Sequence, residues 1–163
     1  GIYAIETVDL ADYPDTVPVT VQALRLGELS IAAIPCETFV EIGLELKAFR
    51  KGEPHFTVSL ANGYNGYLPT PEHHALGGYE TWRARSSYLE VDASTKIRDA
   101  ALELLAEVKR LRDSAHKFAL YLGLKRTWEI ELGALLSPIG YASLPPVLIR
   151  KLLGGDGDAC LGQ

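Results

Sequence analysis

The run "LSIAAIPCETFVEIGLELKAFRKGEPHFTVSLANGY", from Leu29 to Tyr64, constrains the fold more than any other part of the chain. Its apolar spacing changes register twice. A short apolar run stops at Pro35, which cannot donate to a strand ladder. Phe39, Val40, Gly43, Leu44, Leu46 and Phe49 then recur near helical spacing. "RKGEP" interrupts them, and "HFTVSLA" reads as a short buried strand. Strand, helix and strand over this length make one βαβ unit with a parallel pairing. The preceding "VPVTVQALRLGELSIAAIP" reads as two strands, about Val19–Leu24 and Leu29–Ile34, joined through "RLGE". The expected architecture is therefore an α/β N-terminal part, a βαβ unit with a preceding strand hairpin, followed by an all-α C-terminal part.

The helical part follows from "ASTKIRDAALELLAEVKRL", a helix over about Ala93–Leu111. It continues through "RDSAHKFALYLGL" and stops at Gly123. "TWEIELGALL" and "PVLIRKLLGG" read as further helices, and "DGDACLGQ" as a frayed tail. Charge divides the chain at the same place. Residues 1–108 carry 8 Lys and Arg against 16 Asp and Glu, a net of −8; residues 109–163 carry 8 against 5, a net of +3. Two pieces are expected, 1–108 and 109–163. Neither has the dense basic stripe of a nucleic-acid binder. No apolar run is long enough to span a membrane, and no signal-peptide pattern occurs. A chain opening on Gly1 is expected to be a fragment, fusion or processed product, secreted or periplasmic if a removed signal preceded it.

Topology locates the candidate chemistry. Glu37 follows the first parallel strand and Asn62 the second, so both belong at the carboxyl edge of the sheet, where open α/β sheets place their sites. Glu37 has two readings: a metal ligand or base at a strand end, or, with Thr38, the opening of the following helix, where an acid suits the positive dipole end. The loop "NGYNGYLPTPEHHALGGYETW" holds four Gly, three Tyr, two Pro, a His pair and one Trp. That is too much punctuation for a helix and too many large side chains for an idle linker. His73 and His74 are neighbours on an extended chain and diverge, so surface histidines are expected rather than a shared metal. His55 and His116 are expected to be solvent-exposed. Cys36 and Cys160 make neither a disulfide framework nor a metal knuckle, and Cys36 reads as a small buried thiol.

"LRLGELSIAAIPCETFVEIGLELK" followed by "LANGYNGYLPTPEHHALGGYETW" resembles the closing part of the catalytic domain of neutral/alkaline, non-lysosomal ceramidases, over about residues 19–108. The resemblance implies a zinc amidase with a mixed α/β domain that hydrolyses ceramide or a related lipid amide. It implies that Glu37, in Pro35-Cys36-Glu37 where the family has Pro-Gly-Glu, is a zinc ligand. It implies that Tyr67, the second tyrosine of an Asn-x-Tyr-x-x-Tyr pattern at Asn62, Tyr64 and Tyr67, is another. Tyr64, Tyr79 and Trp82 would then wall the substrate site. The family's two zinc histidines come from an upstream region that these residues do not include. The site is therefore expected to be incomplete, and the chain alone inactive or very weak.

"YLGLKRTWEIELGALLSPIGYASLPPVLIRKLLGGD" is similar to part of an HD-domain phosphohydrolase of response-regulator type, over about residues 110–155. Active members carry a metal-binding His-Asp pair before Ile-Gly. Ser137-Pro138 stands at those positions here, before Ile139-Gly140, so a catalytically dead helical module is implied. The alternative function is therefore a non-catalytic signalling or interaction module, self-associating through Leu132, Leu135, Leu136, Leu148 and Leu152.

Overall fold

The computed structural model describes residues 1–136, with side-chain surroundings through Glu131. It has an N-terminal region that contains all the strands and a C-terminal helical region. Compact units meet at Ala106/Glu107. Expectations for 137–163, including Ser137-Pro138, Leu148, Leu152, the last helix and the tail with Cys160, lie outside the described residues. So do the side chains of Leu132, Leu135 and Leu136.

In the first unit, helix α1 (Ile2–Asp9) leads through a 3-10 turn (Leu10–Asp12) to strand β1 (Gln22–Leu26). Strand β2 (Leu29–Ala33) pairs antiparallel with β1, Leu24 opposite Ile31. Gly27, at φ +60°, turns the hairpin in a conformation that residues with a Cβ adopt at a cost. A two-residue strand β3 (Glu37–Thr38) precedes helix α2 (Val40–Phe49). Strand β4 (His55–Val58) then pairs parallel with β2, Ile31 opposite Phe56, which closes the βαβ unit. The sheet order is β1-β2-β4. Strand β5 (Tyr67–Leu68), helix α3 (Pro71–Leu76) and a 3-10 turn (Tyr79–Thr81) follow, all within the aromatic-rich loop. Helix α4 (Ala93–Tyr121) begins in this unit.

Helix α2 starts later than the acid at Glu37 suggests. Its N-cap is Phe39, in an extended conformation with no side-chain cap, because Glu37 and Thr38 are held in a strand. The core joins Ala32, Ile34, Cys36, Ile42, Leu46 and Leu68 to Ala93, Ile97, Ala101 and Leu105 of α4. Only Ile42 and Leu46 of α2 are buried, while Val40, Leu44 and Phe49 face outward.

Strand β4 differs from a buried strand. His55 is buried, but Phe56 and Val58 are exposed. The same inversion runs across the sheet. Arg25, Ser30 and His55 share a row on the inner face, and Leu24, Ile31 and Phe56 share a row on the outer one. The inner polar row is satisfied locally. Ser30 Oγ lies 3.0 Å from His55 Nδ1, and Arg25 donates to Glu28 (2.9 Å) and Glu53 (3.4 Å). Arg50 also reaches Glu53. His55 is thus not a surface group: burial, then the nearby Arg50 charge, lowers its pKa.

In the second unit, the rest of α4 is followed by Gly123 at φ +67° and by helix α5 (Thr127–Leu136). Glu131 of α5 accepts from Arg112 Nε at 3.1 Å and lies 2.6 Å from His116 Nδ1, so His116 is paired rather than free in solvent.

Leu46→Ala should cost about 2–5 kcal/mol in urea unfolding, because a buried branched side chain is removed from a packed site. Leu44→Ala, on the outward side of the same helix, should cost less than about 0.5 kcal/mol.

Candidate functional site at the sheet edge

The chain leaving β2 is anchored before it reaches Glu37. Ile34, Pro35 and Cys36 are fully buried. Their backbone groups are taken up by the chain leaving β4. Ile34 N donates to Val58 O (2.9 Å), Ala61 N to Ile34 O (3.1 Å), Leu60 N to Cys36 O (3.0 Å) and Asn65 N to Pro35 O (2.7 Å). Ser59 Oγ donates to Cys36 O at 2.7 Å and accepts from Thr38 N at 3.1 Å. Burial pushes the Cys36 thiol up to about 12, so it is a packing group and not a nucleophile.

This seam runs directly into β3 and β5. Glu37 N donates to Gly66 O at 2.9 Å, and Glu37 stands opposite Tyr67 in a parallel register, with Thr38 opposite Leu68. Side chains opposite one another on paired strands leave the same face, so the carboxylate and the phenol are neighbours. Gly66 makes the approach possible. At φ +74° its backbone passes so close to the next segment that a Cβ would sit 2.4 Å from Ser86 O. Tyr67 N donates to that same Ser86 carbonyl at 2.8 Å.

Two more tyrosines complete the cluster. Tyr64 donates its hydroxyl to Glu37 Oε1 at 3.2 Å. Tyr79 packs edge-on to Tyr67 with ring centroids 5.7 Å apart and is hydrogen-bonded to it. The Tyr67 phenol is pushed up to about 12, first by the bond to Tyr79, then by burial, then by the Glu37 charge. Burial, then the bond to Glu37 and its charge, raises Tyr64. At neutral pH the cluster is one carboxylate surrounded by neutral phenols that can donate hydrogen bonds to it.

Trp82 is placed differently. It packs edge-on against Tyr3 of α1, centroids 4.8 Å apart, and half its surface is open. Helix α1 buries no side chain. It is held to the loop by Arg85, which donates to both carboxylate oxygens of Glu6 at 2.9 and 2.7 Å, and by Thr7, whose hydroxyl lies 3.2 Å from Arg83 O. A groove of about 540 Å3 between α1 and the loop is bordered by Tyr3, Glu6, Tyr13, Tyr64, Arg85 and Tyr88. Tyr64 therefore belongs both to the carboxylate cluster and to this groove. Nothing in the spacing of the sequence marks Tyr3, Tyr88 or the Glu6–Arg85 pair, because each meets its partners only through contacts distant along the chain.

The His pair lies on α3 rather than on an extended loop. His73 Nδ1 is 2.8 Å from the Thr70 hydroxyl, its ring packs on Phe39 at 4.7 Å, and its Nε2 is 3.7 Å from Glu41. Among the described residues, no group of three or more His, Cys, Asp and Glu side chains could hold a metal ion. Glu37 and Tyr67 suit a hard or borderline cation in donor type, but a zinc site takes at least three protein donors. The described residues thus offer part of such a site.

No family model, curated protein or solved structure matches the chain.

Gly66→Ala should destabilise the protein by about 2 kcal/mol or more, because the left-handed backbone and the Ser86 carbonyl both oppose a Cβ. Gly77→Ala, at φ +82° but in open space, should cost about 1 kcal/mol. The raised Tyr67 pKa sets a second expectation. Its contribution to stability is full below pH 10.0, its ordinary value, and is lost as pH climbs to about 12. In Glu37→Gln, ultraviolet titration of phenolate absorbance should show Tyr64 and Tyr67 ionising at lower pH; unchanged curves would mean that the carboxylate does not act on them.

Proposed function

We propose that residues 19–108 form the closing part of a zinc-dependent amide hydrolase domain of neutral ceramidase type, acting on N-acyl lipid amides. In this reading Glu37 and Tyr67 are two of the metal ligands, and further donors come from outside the described residues. The chain alone is then inactive or very weak. The observation that supports it is the parallel β3–β5 pairing, which sets Glu37 against Tyr67 at the end of a βαβ unit.

A bound zinc ion would polarise the amide carbonyl and acidify a bound water. The remaining work falls to this chain's own residues. Glu37 supplies a negative charge on a backbone that the buried Ile34-Pro35-Cys36 segment holds rigid. Tyr64 and Tyr79 orient the carboxylate and the Tyr67 phenol by hydrogen bonds, so neither needs to reorganise when a ligand arrives. Tyr64 also carries the polar cluster to the aromatic groove beside α1, where an uncharged, partly apolar substrate finds rings and hydroxyl groups together.

Calorimetric titration of the full chain with zinc chloride should show weak binding, with Kd on the order of 10–100 μM, as expected of too few donors. Glu37→Gln combined with Tyr67→Phe should weaken it by about tenfold or more. His73→Ala combined with His74→Ala should leave it within about twofold. If the first double variant keeps full affinity, the proposal fails. Hydrolysis of an N-acyl sphingoid substrate should be negligible with zinc alone and should rise when the upstream part of a family domain is added in trans.

A further inference from the structure

The three-stranded sheet carries its polarity the wrong way round for a sheet with one face in water. A half-exposed sheet turns apolar residues to the core and polar ones to solvent. Here Arg25, Ser30, His55 and Thr57 point inward, while Leu24, Leu26, Leu29, Ile31, Phe56 and Val58 point outward. Leu24 is 44% exposed, Leu26 57%, Phe56 47% and Val58 38%. The register makes them contiguous. Leu24, Ile31 and Phe56 lie side by side across the strands, Leu26 faces Leu29, and Ala33 joins Val58. No charged side chain interrupts the face. A parallel pair such as β2–β4 is ordinarily covered on both sides, and here α2 packs on β4 from only one.

We propose that this outer sheet face is the dimerisation surface of the chain, and that its occupant is the same face of a second copy. The reading is independent of the hydrolase proposal. An uncharged face has nothing with which to repel its own copy, and it lacks the inward-pointing charges that sheets use against self-association. Two identical faces meeting about a two-fold axis close on themselves, which gives a dimer rather than an open polymer. Twisted sheets of this kind stack face to face about 10 Å apart with interdigitated side chains. Size sets the strength. The exposed apolar surface is on the order of 350 Å2, about what a large patch on a monomer offers. Two such faces with their rims would bury about 700–1,000 Å2 in total, the low end of specific interfaces, so the dimer forms at micromolar concentrations and dissociates on dilution.

Another apolar surface of the same unit supplies the control. Ile2, Ile5 and Val8 are exposed on the side of α1 away from the Arg85 clamp. Sedimentation velocity on the full chain from about 1 to 100 μM should show a reversible monomer–dimer equilibrium. Phe56→Lys and Leu24→Lys, on different strands and outside the core, should each shift its midpoint by about tenfold or more while leaving the far-ultraviolet dichroism unchanged. Ile5→Lys should leave it within about twofold. A wild-type chain that stays monomeric throughout overturns the proposal. So does a dimer that both sheet variants leave intact, or one that Ile5→Lys dissolves. Loss of fold in one lysine variant passes the decision to the other.

Discussion

The backbone seam between residues 34–37 and 58–67 is the interaction on which the first unit depends. It starts inside the β2–β4 pairing and does not end where the strands do. Ile34, Pro35 and Cys36 are fully buried, so every carbonyl and amide there must find a protein partner or be left unpaired at a cost of about 1–3 kcal/mol. The chain leaving β4 supplies those partners, together with the Ser59 hydroxyl. Once that seam closes, Glu37 and Tyr67 have little freedom left: they are the next pair along it. The site geometry is thus a consequence of satisfying buried backbone, not a separate arrangement laid over it.

The same unit tolerates an inner sheet face with polar groups because their partners are close along the chain. Arg25 and Arg50 share Glu53, and Ser30 and His55 serve each other. Apolar packing against α2 and α4 comes instead from Ala32, Ile34 and Leu68, further toward the carboxyl edge. The sheet therefore has two ends of different character. A polar, ion-paired end lies beneath α2's last turn, and an apolar end holds the candidate site. The outer leucine and phenylalanine rows contribute nothing to this core.

Much of this was legible beforehand, and the reasons are local. Hairpin, crossover helix and parallel strand follow from periodicities that switch at Pro35 and at "RKGEP". The long α4 follows from an uninterrupted amphipathic pattern ended by Gly123. The capping role considered for Glu37 failed because β3, only two residues long, has no period to detect; its existence depends on a partner about thirty residues away. Helix α3 was hidden in a segment rich in Gly and Pro, although Thr70 and Pro71 supply an N-cap and a first-turn proline. The burial of His55 was not legible either, since a strand's period assigns residues to two faces without saying which face is covered.

The sequence by itself determined the order and type of the main elements, the carboxyl edge as the place of the site, and Glu37, Tyr64, Tyr67 and Tyr79 as its side chains. These rest on short-range periodicity and on the topology of a crossover. Only the tertiary structure decided that Glu37 and Tyr67 are register partners, that Tyr64 donates to the carboxylate while Trp82 turns to α1, and that the sheet shows water its apolar side. Those outcomes depend on which distant segments meet, and hydrogen-bond register and burial exist only once they have.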